Sequence, residues 1–523
     1  MAVSRKGVMG KVFGVSGATL LSRILGLLRV RFEAEVIGGG IVASAWYLAF
    51  SFPNLFRRLF GEGALGSALM PIVGELENEC GHDHARGALG VIFPCLGLLL
   101  GVIVILCSLV ALVISNCVEL DYKWRLVCVL TPLLLPYAIF ICLTGAMTAV
   151  ANYARSFVKP AFYSLSMNIA LVGGLLWGWY SKVNDSFESL EKFLALLSIL
   201  FLISGAVQFI LMCILLKRIN FFPDFSCWKR HIGVLKKLWE LALPSFISAG
   251  ALQISFLIDR NLAFLVNDQG VAALTYIDRL IDLPIGLFAV AMGQVFMARM
   301  TSFAAEGNME GLREDLNYGL RQVWFLAIPM GAGVVFFHEI MLKVICLGGS
   351  YTMEHLNAAR SVAIFYGSGI PFFCAQKILQ PAFYSRQDTK TPLNCSLTAI
   401  CVNVVLSLAL LKPLAHGGIA LATAISAMLH SILLIVNLKK SGIDLDLRSL
   451  GAALGRALLA AVFAGTVVKF LLDRFYTGSG RAADFCALSV AGTLFLLIYA
   501  GCATLTGGRE TRILLSRFRR KRS

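Results

Sequence analysis

Apolar runs of about 20 residues recur from one end of this chain to the other. A helix of that length crosses a hydrocarbon core of about 30 Å. Inside that core the backbone has no water to bond, so each crossing segment must satisfy its own N–H and C=O groups. The chain is therefore expected to be an all-α polytopic membrane protein. Composition agrees: 58% of the 523 residues are apolar and 15% charged, against roughly 45–50% and about 25% in soluble domains. This excludes a secreted disulfide scaffold, a disordered tail and a large soluble catalytic domain.

The apolar segments lie near 12–37, 41–71, 88–115, 126–151, 160–180, 190–216, 238–265, 271–300, 318–346, 358–383, 392–411, 416–438, 451–472 and 483–506, about fourteen in all. An even number puts both ends of the chain on one side. Alternate connections then differ in charge. One set holds Arg155 and Lys159, then Lys217, Arg218, Lys229, Arg230, Lys236 and Lys237, then Arg386 and Lys390, then Lys439, Lys440 and Arg448; the other holds fewer, Lys123, Arg125, Lys182, Lys412, Arg474 and Arg481. Because cytoplasmic loops are enriched in Lys and Arg, the expected topology is N-in and C-in. The net charge of +16 belongs to this pattern and to the basic tail, not to nucleic-acid binding. Arg5, Lys6 and Lys11 precede a short apolar run, but no small-residue cleavage site follows, so a retained first helix is expected. The 14 cysteines contain no CxxC pair, and neither a zinc site nor a disulfide framework is expected.

Residues 217–237 are the longest basic connection. They divide the chain into an N-lobe (1–217, six helices), a basic cytoplasmic linker (218–237) and a C-lobe (238–438, six helices). Two further helices (439–508) and a basic cytoplasmic tail (509–523) follow. The second helix of each lobe has an aromatic residue before an internal proline, Tyr47 with Pro53 and Tyr276 with Pro284, and an arginine close by. Two pseudo-symmetric six-helix lobes are the expected architecture. Transporter repeats of this kind place the binding site between them near the midplane.

Charges inside the apolar segments narrow the function. The first two helices hold Arg23, Arg29, Arg31, Glu33, Glu35, Arg57, Arg58 and Glu62. The seventh and eighth hold Asp259, Arg260, Asp278, Arg279 and Asp282, and the tenth holds Lys377. A central arginine facing lipid costs about 2.5–3.5 kcal/mol even on the lenient insertion scale. Four would cost roughly 10–14 kcal/mol, as much as a whole protein's net stability of about 5–15 kcal/mol. They must pair internally or line a hydrated cavity. Arg29 with Glu33 and Arg31 with Glu35 are spaced to pair along one helix face. The alternative to a functional role is snorkelling at helix ends or static bridging. The remaining arginines point to an anionic ligand, and guanidinium forks match phosphate oxygens two at a time. A pyrophosphate could engage several of them. A weaker oxygen set, Asp259 with Asn403, Ser407 and Thr423, could hold Na⁺ as a coupling ion, against the alternative of ordinary interhelical hydrogen bonding. No other cofactor is expected.

Other motifs mislead. Gly61, Gly63 and Gly66 match G-x-G-x-x-G, but no strand precedes them and no βαβ unit is available. His82, Asp83 and His84 read as a solvated polar connection rather than a metal site. Walker A, HExxH and G-x-S-x-G are absent from the sequence. A multidrug exporter of the same fold fits less well, because cationic drugs favour an acidic cavity. A membrane scaffold would not need cavity arginines, and a glycosyltransferase would need catalytic carboxylates in large polar loops.

The runs Ser22-Arg23-Ile-Leu-Gly26-Leu-Leu-Arg29, Phe52-Pro53-Asn54-Leu-Phe-Arg57-Arg58-Leu-Phe-Gly-Glu62-Gly63-Ala64, Tyr276-Ile-Asp278-Arg279-Leu-Ile-Asp282-Leu-Pro284 and Phe383-Tyr384-Ser385-Arg386-Gln387-Asp388-Thr-Lys390-Thr-Pro392 resemble the MurJ (MviN) family of the MOP exporter superfamily, in matching order over nearly the whole chain. The resemblance implies a flippase of the bacterial cytoplasmic (inner) membrane. Its substrate would be lipid II, the undecaprenyl-pyrophosphate-linked disaccharide-pentapeptide, moved from the inner to the outer leaflet by alternating access. It also implies membrane lipids and cell-wall synthesis proteins as partners. By the same resemblance Arg23, Arg29, Arg57 and Arg279 would contact pyrophosphate or sugar, with Arg58, Glu62, Asp278, Asp282 and Lys377 in support, and the last two helices would hold the polyprenyl tail. The family commonly has an acidic residue after the Arg29 position and an Asp early in the second helix. Here these positions are Val30 and Ser44, which leaves Glu33 and Glu35 as the nearby acids.

Overall fold

A computed structural model describes residues 5–61, 64–226, 228–476, 478 and 480–505. Among them there is no strand; the chain is a succession of helices. The helices are α1 (Arg5–Val36), α2 (Ile41–Phe56), α3 (Ala64–Cys80), α4 (His82–Cys117), α5 (Tyr122–Leu134), α6 (Tyr137–Tyr153), α7 (Val158–Tyr163), α8 (Leu165–Tyr180), α9 (Phe187–Arg218), α10 (Trp228–His231), α11 (Val234–Val266), α12 (Gly270–Pro284), α13 (Val290–Ala305), α14 (Met309–Ile345), α15 (Met353–Tyr384), α16 (Lys390–Lys440), α17 (Leu447–Phe475) and α18 (Arg481–Leu505). Among the described residues, each of the fourteen apolar segments falls largely on these helices.

Among the described residues, eight helical spans are long and apolar enough to cross a membrane, and the pair α5–α6, bent by 44°, makes a ninth. The 51-residue α16 carries two of the apolar segments. It is broken at Ala415, whose φ of 49° and ψ of −135° are not helical, two residues after Pro413. The segments that fall outside this set, α1, α2–α3, α11 and α12–α13, are the ones that carry the intramembrane charges named above other than Lys377, which lies on α15. Two of them are also interrupted. A five-residue π turn, Arg57–Gly61, follows α2, and another, Ile285–Ala289, follows α12. Pro53 lies inside α2, and Pro284 is the last residue of α12. A proline cannot donate a backbone hydrogen bond, so both disturb the local ladder. The His82–His84 stretch, expected as a loop, instead opens α4, after a turn that Gly81 makes at φ 92°.

The chain divides into two compact units, residues 1–264 with 348–351, and 265–347 with 352–523. In the first, Leu69 and Ile72 of α3, Leu89 and Ile92 of α4, Ala146 and Val150 of α6 and Leu215 and Leu216 of α9 form one buried core. The outer face of α4 (Leu98, Ile105, Leu106, Val113) is exposed and apolar, as a lipid-facing helix must be. In the second unit α14 and α15 approach closely: a Cβ on Gly331 would stand 2.5 Å from the Gly367 carbonyl oxygen. Small residues allow this backbone-to-backbone packing in membranes, where the hydrophobic effect does not drive helices together. Tyr499 of α18 donates to the Phe325 carbonyl of α14 at 2.8 Å.

Candidate functional site

The charged positions of α1 and α2 are anchored in different ways. Arg29 is 2% exposed and Glu33, one turn on, 4%. Arg29 Nε lies 3.5 Å from Glu33 Oε1, and Arg29 also donates to Asn168 Oδ1 of α8 at 3.2 Å. The Tyr47 hydroxyl of α2 donates to the other Glu33 oxygen at 3.1 Å. Asn168 is oriented in turn by the Ser22 carbonyl and hydroxyl, both at 3.4 Å. Both expected pairs are present, since Arg31 also bridges to Glu35. Glu33 thus supplies the acid beside Arg29, while Val30 and Ser44 are buried. The backbone carbonyl of Glu35 accepts from Ser350 N at 2.9 Å, which ties the 348–351 turn to the end of α1. In the sequence Tyr47 reads only as an aromatic before a proline, and nothing local marks Asn168. Arg23 is half-buried and makes no side-chain hydrogen bond or ion pair among the described residues.

Arg57 and Arg58 open the first π turn. Arg57 Nε donates to Asn54 Oδ1 at 3.2 Å, and its side chain lines a recess of about 430 Å³ within the first unit. Thr144, Thr148 and Asn152 of α6, Phe157 and Pro160 beyond it, and Gln208 of α9 share that recess. Arg58 donates to Gln253 Oε1 at 3.4 Å and lies 5.3 Å from the centre of the Phe256 ring. Arg260 is 4.7 Å from the same ring, so one aromatic serves two guanidinium groups, a contact worth about 0.5–2 kcal/mol each. Glu62 lies outside the described residues.

In the second unit Asp278 and Arg279 are half-buried near the end of α12, and Asp282 is exposed. The Arg279 side chain makes no hydrogen bond or ion pair among the described residues. Lys377 is exposed on α15. Its helix is pressed against α13, where a Cβ on Gly293 would stand 2.7 Å from the Lys377 carbonyl oxygen.

The oxygen set is divided. Asp259 belongs to the first unit, and Asn403, Ser407 and Thr423 to the second. Ser407 donates to Asn403 Oδ1 at 3.4 Å, and Thr423 to the Ile419 carbonyl at 2.9 Å. Among the described residues no cluster of three or more His, Cys, Asp or Glu could hold a metal ion. His82 instead meets Glu77 at 2.8 Å and the Asn220 carbonyl at 2.8 Å.

Comparison with known proteins adds an independent line. The family model described as "Lipid II flippase MurJ" matches residues 33–489. A probable lipid II flippase MurJ of Rhizobium tropici is 30% identical, over 98% of this chain and 97% of its own length. The lipid II flippase MurJ of Burkholderia cenocepacia is 28% identical, over 94% and 96%. Among solved structures, a lipid II flippase MurJ in an inward closed conformation superposes with a TM-score of 0.76 at 21% identity, over 94% of this chain and 98% of that one. An inward-facing multidrug resistance MATE family transporter of the MOP superfamily gives 0.66 at 14% identity, over 81% and 95%. The two structural likenesses concern the fold.

Proposed function

We infer the function from a chain that belongs to the lipid II flippase MurJ family: it carries lipid II from the inner to the outer leaflet of the bacterial inner membrane, as a multi-pass transporter and not an enzyme. The observation that carries this reading is the match over residues 33–489 together with 30% identity along nearly the whole of a relative. The charge arithmetic agrees. Intramembrane arginines are tolerable only with a polar counterpart, and a diphosphate on a lipid is such a counterpart. The multidrug alternative is disfavoured by the same surplus of arginine over carboxylate.

The finer assignments are part of the proposal. Arg23, Arg29 and Arg57 of the first unit and Arg279 of the second contact the pyrophosphate or the adjoining sugar. Arg58, Glu62, Asp278, Asp282 and Lys377 support them. The polyprenyl tail runs along α17 and α18, whose Leu459, Phe463, Phe470 and Leu497 are exposed and apolar. Na⁺ is a coupling ion on Asp259, Asn403 and Thr423. Both termini are cytoplasmic, supported by the basic connections, and cell-wall synthesis proteins are partners on either side of the flipping step.

The test is reconstitution. Lipid II labelled on its head group is placed in vesicles with and without the purified protein, and its exposure to a membrane-impermeant reagent is followed. Protein-dependent exposure of inner-leaflet lipid II is expected; rates equal to those of protein-free vesicles would overturn the reading.

A further inference from the structure

The recess beside Arg57 holds more polar chemistry than a phosphate needs. Gln208 is only 6% exposed, yet its carboxamide makes no hydrogen bond among the described residues. The side chain of Asn152, on the same recess, likewise makes none. Neither amide is enclosed without a partner; both residues line the recess, where their carboxamides are open to water or to a ligand. The volume, about 430 Å³, falls in the range of small-molecule sites, about 300–1,000 Å³. One wall is apolar, with Phe157 and Pro160. The recess lies toward the end of the unit that carries Arg155, Lys159, Lys217 and Arg218, the side assigned to the cytoplasm, from which the substrate loads.

A neutral carboxamide both donates and accepts. Two of them on the same recess as Arg57 suit a neutral, amide-bearing ligand adjoining an anion. A phosphate alone would be better served by further cations, and a cationic ligand would be repelled by Arg57. We propose that this recess is the subsite for the N-acetylated sugar next to the diphosphate, with Gln208 and Asn152 bonding its acetamido group and Arg57 reaching the neighbouring phosphate. The assignment rests on the flippase reading and adds to it the residues that distinguish a sugar-bearing lipid from the bare carrier lipid.

The test compares lipid II with undecaprenyl pyrophosphate, which has the diphosphate and tail but no sugar. Binding of each to the purified full chain in nanodiscs is measured for the wild type, Gln208→Met and Asn152→Leu. Neither substitution removes a hydrogen bond of the resting protein, and melting temperatures report on folding. The expected result is roughly a tenfold loss of lipid II affinity in Gln208→Met, equivalent to one or two hydrogen bonds, a smaller loss in Asn152→Leu, and undecaprenyl pyrophosphate binding unchanged in both. Lipid II affinity within twofold of wild type in both variants, or equal losses for the two lipids, would overturn the subsite. Phosphatidylglycerol binding that falls in the same variants would overturn it too, making the recess a phospholipid site. A wild-type protein that binds lipid II no better than phosphatidylglycerol would instead remove the flippase reading on which the proposal stands.

Discussion

Arg29 and Glu33, one turn apart on α1, are both almost wholly buried and hold each other at 3.5 Å. Tyr47 donates to the far side of Glu33 and Asn168 accepts from Arg29, so the first unit encloses an ion pair with its hydrogen bonds supplied by three helices. Removing one charge of such a pair strands the other, which costs about 3–5 kcal/mol. Arg29→Ala and Glu33→Ala should each lower the melting temperature in detergent. The double substitution should be less harmful than the sum of the two, as neighbours that interact are not additive. Additive losses would show that the two charges do not depend on each other. Arg29→Ala should also abolish flipping in vesicles.

Arg279 has no such internal support among the described residues. Arg279→Ala should therefore leave the melting temperature nearly unchanged while abolishing both lipid II flipping and complementation of a strain depleted of its own flippase. Arg279→Lys should fail to restore full activity, because an ammonium cannot present two parallel donors to a phosphate. Full complementation by the alanine variant would remove Arg279 from the binding set.

Export of lipid II moves at least the charge of its diphosphate outward across a membrane that is negative inside. Each negative charge carried fully across gains about 2.3 kcal/mol per 100 mV. Collapsing the potential with an ionophore, at fixed ion gradients, should slow net flipping. If the rate does not change, the assay is repeated without Na⁺. A loss of transport there would mean that a cation neutralises the cycle, and Asp259→Asn should then abolish the Na⁺ dependence.

Asp388 caps the start of α16 from the connection before it, accepting from Thr391 N at 3.0 Å. That backbone hydrogen bond holds its carboxyl below the usual carboxylate range. A carboxylate stabilised in the native state contributes fully above its ordinary pKa of about 3.9, and the contribution fades as pH falls through the lower native value. Asp388→Ala should cost about 1 kcal/mol at neutral pH, seen as a lower melting temperature. The gap from wild type should close as the pH is taken below about 4. Asp388→Asn, which keeps the acceptor, should lose little at neutral pH and show no such acid dependence.

Much of this architecture can be read from the chain because a bilayer leaves few choices. A run such as 88–115 can only be a helix, and the four-residue spacing of Arg29 and Glu33 dictates that they meet. What could not be read depends on partners distant in sequence or on small departures from ideal geometry. Asn168 reaches Arg29 across 139 positions, and Phe256 comes to lie near both Arg58 and Arg260 with no sequence pattern to announce it. The break in α16 falls at Ala415, an unlikely residue for a positive φ; only Pro413 hinted that the helix could not run straight. Arg57 was legible as an intramembrane cation, but the open carboxamide of Gln208 was not, since a glutamine in an apolar helix more often bonds a neighbouring helix.

The wide turns after α2 and α12 carry one consequence for how these two helices age. An ordinary helix rotates each residue by about 100° from the last, so a single-residue insertion or deletion swings everything downstream onto the wrong face. A π turn already accommodates a surplus residue within a bonded backbone. Arg57–Gly61 and Ile285–Ala289 are thus the places where either helix can gain or lose a residue without breaking. Loss of the surplus residue from Ile285–Ala289 would restore an ordinary helical turn while Arg279, upstream on α12, kept its bearing.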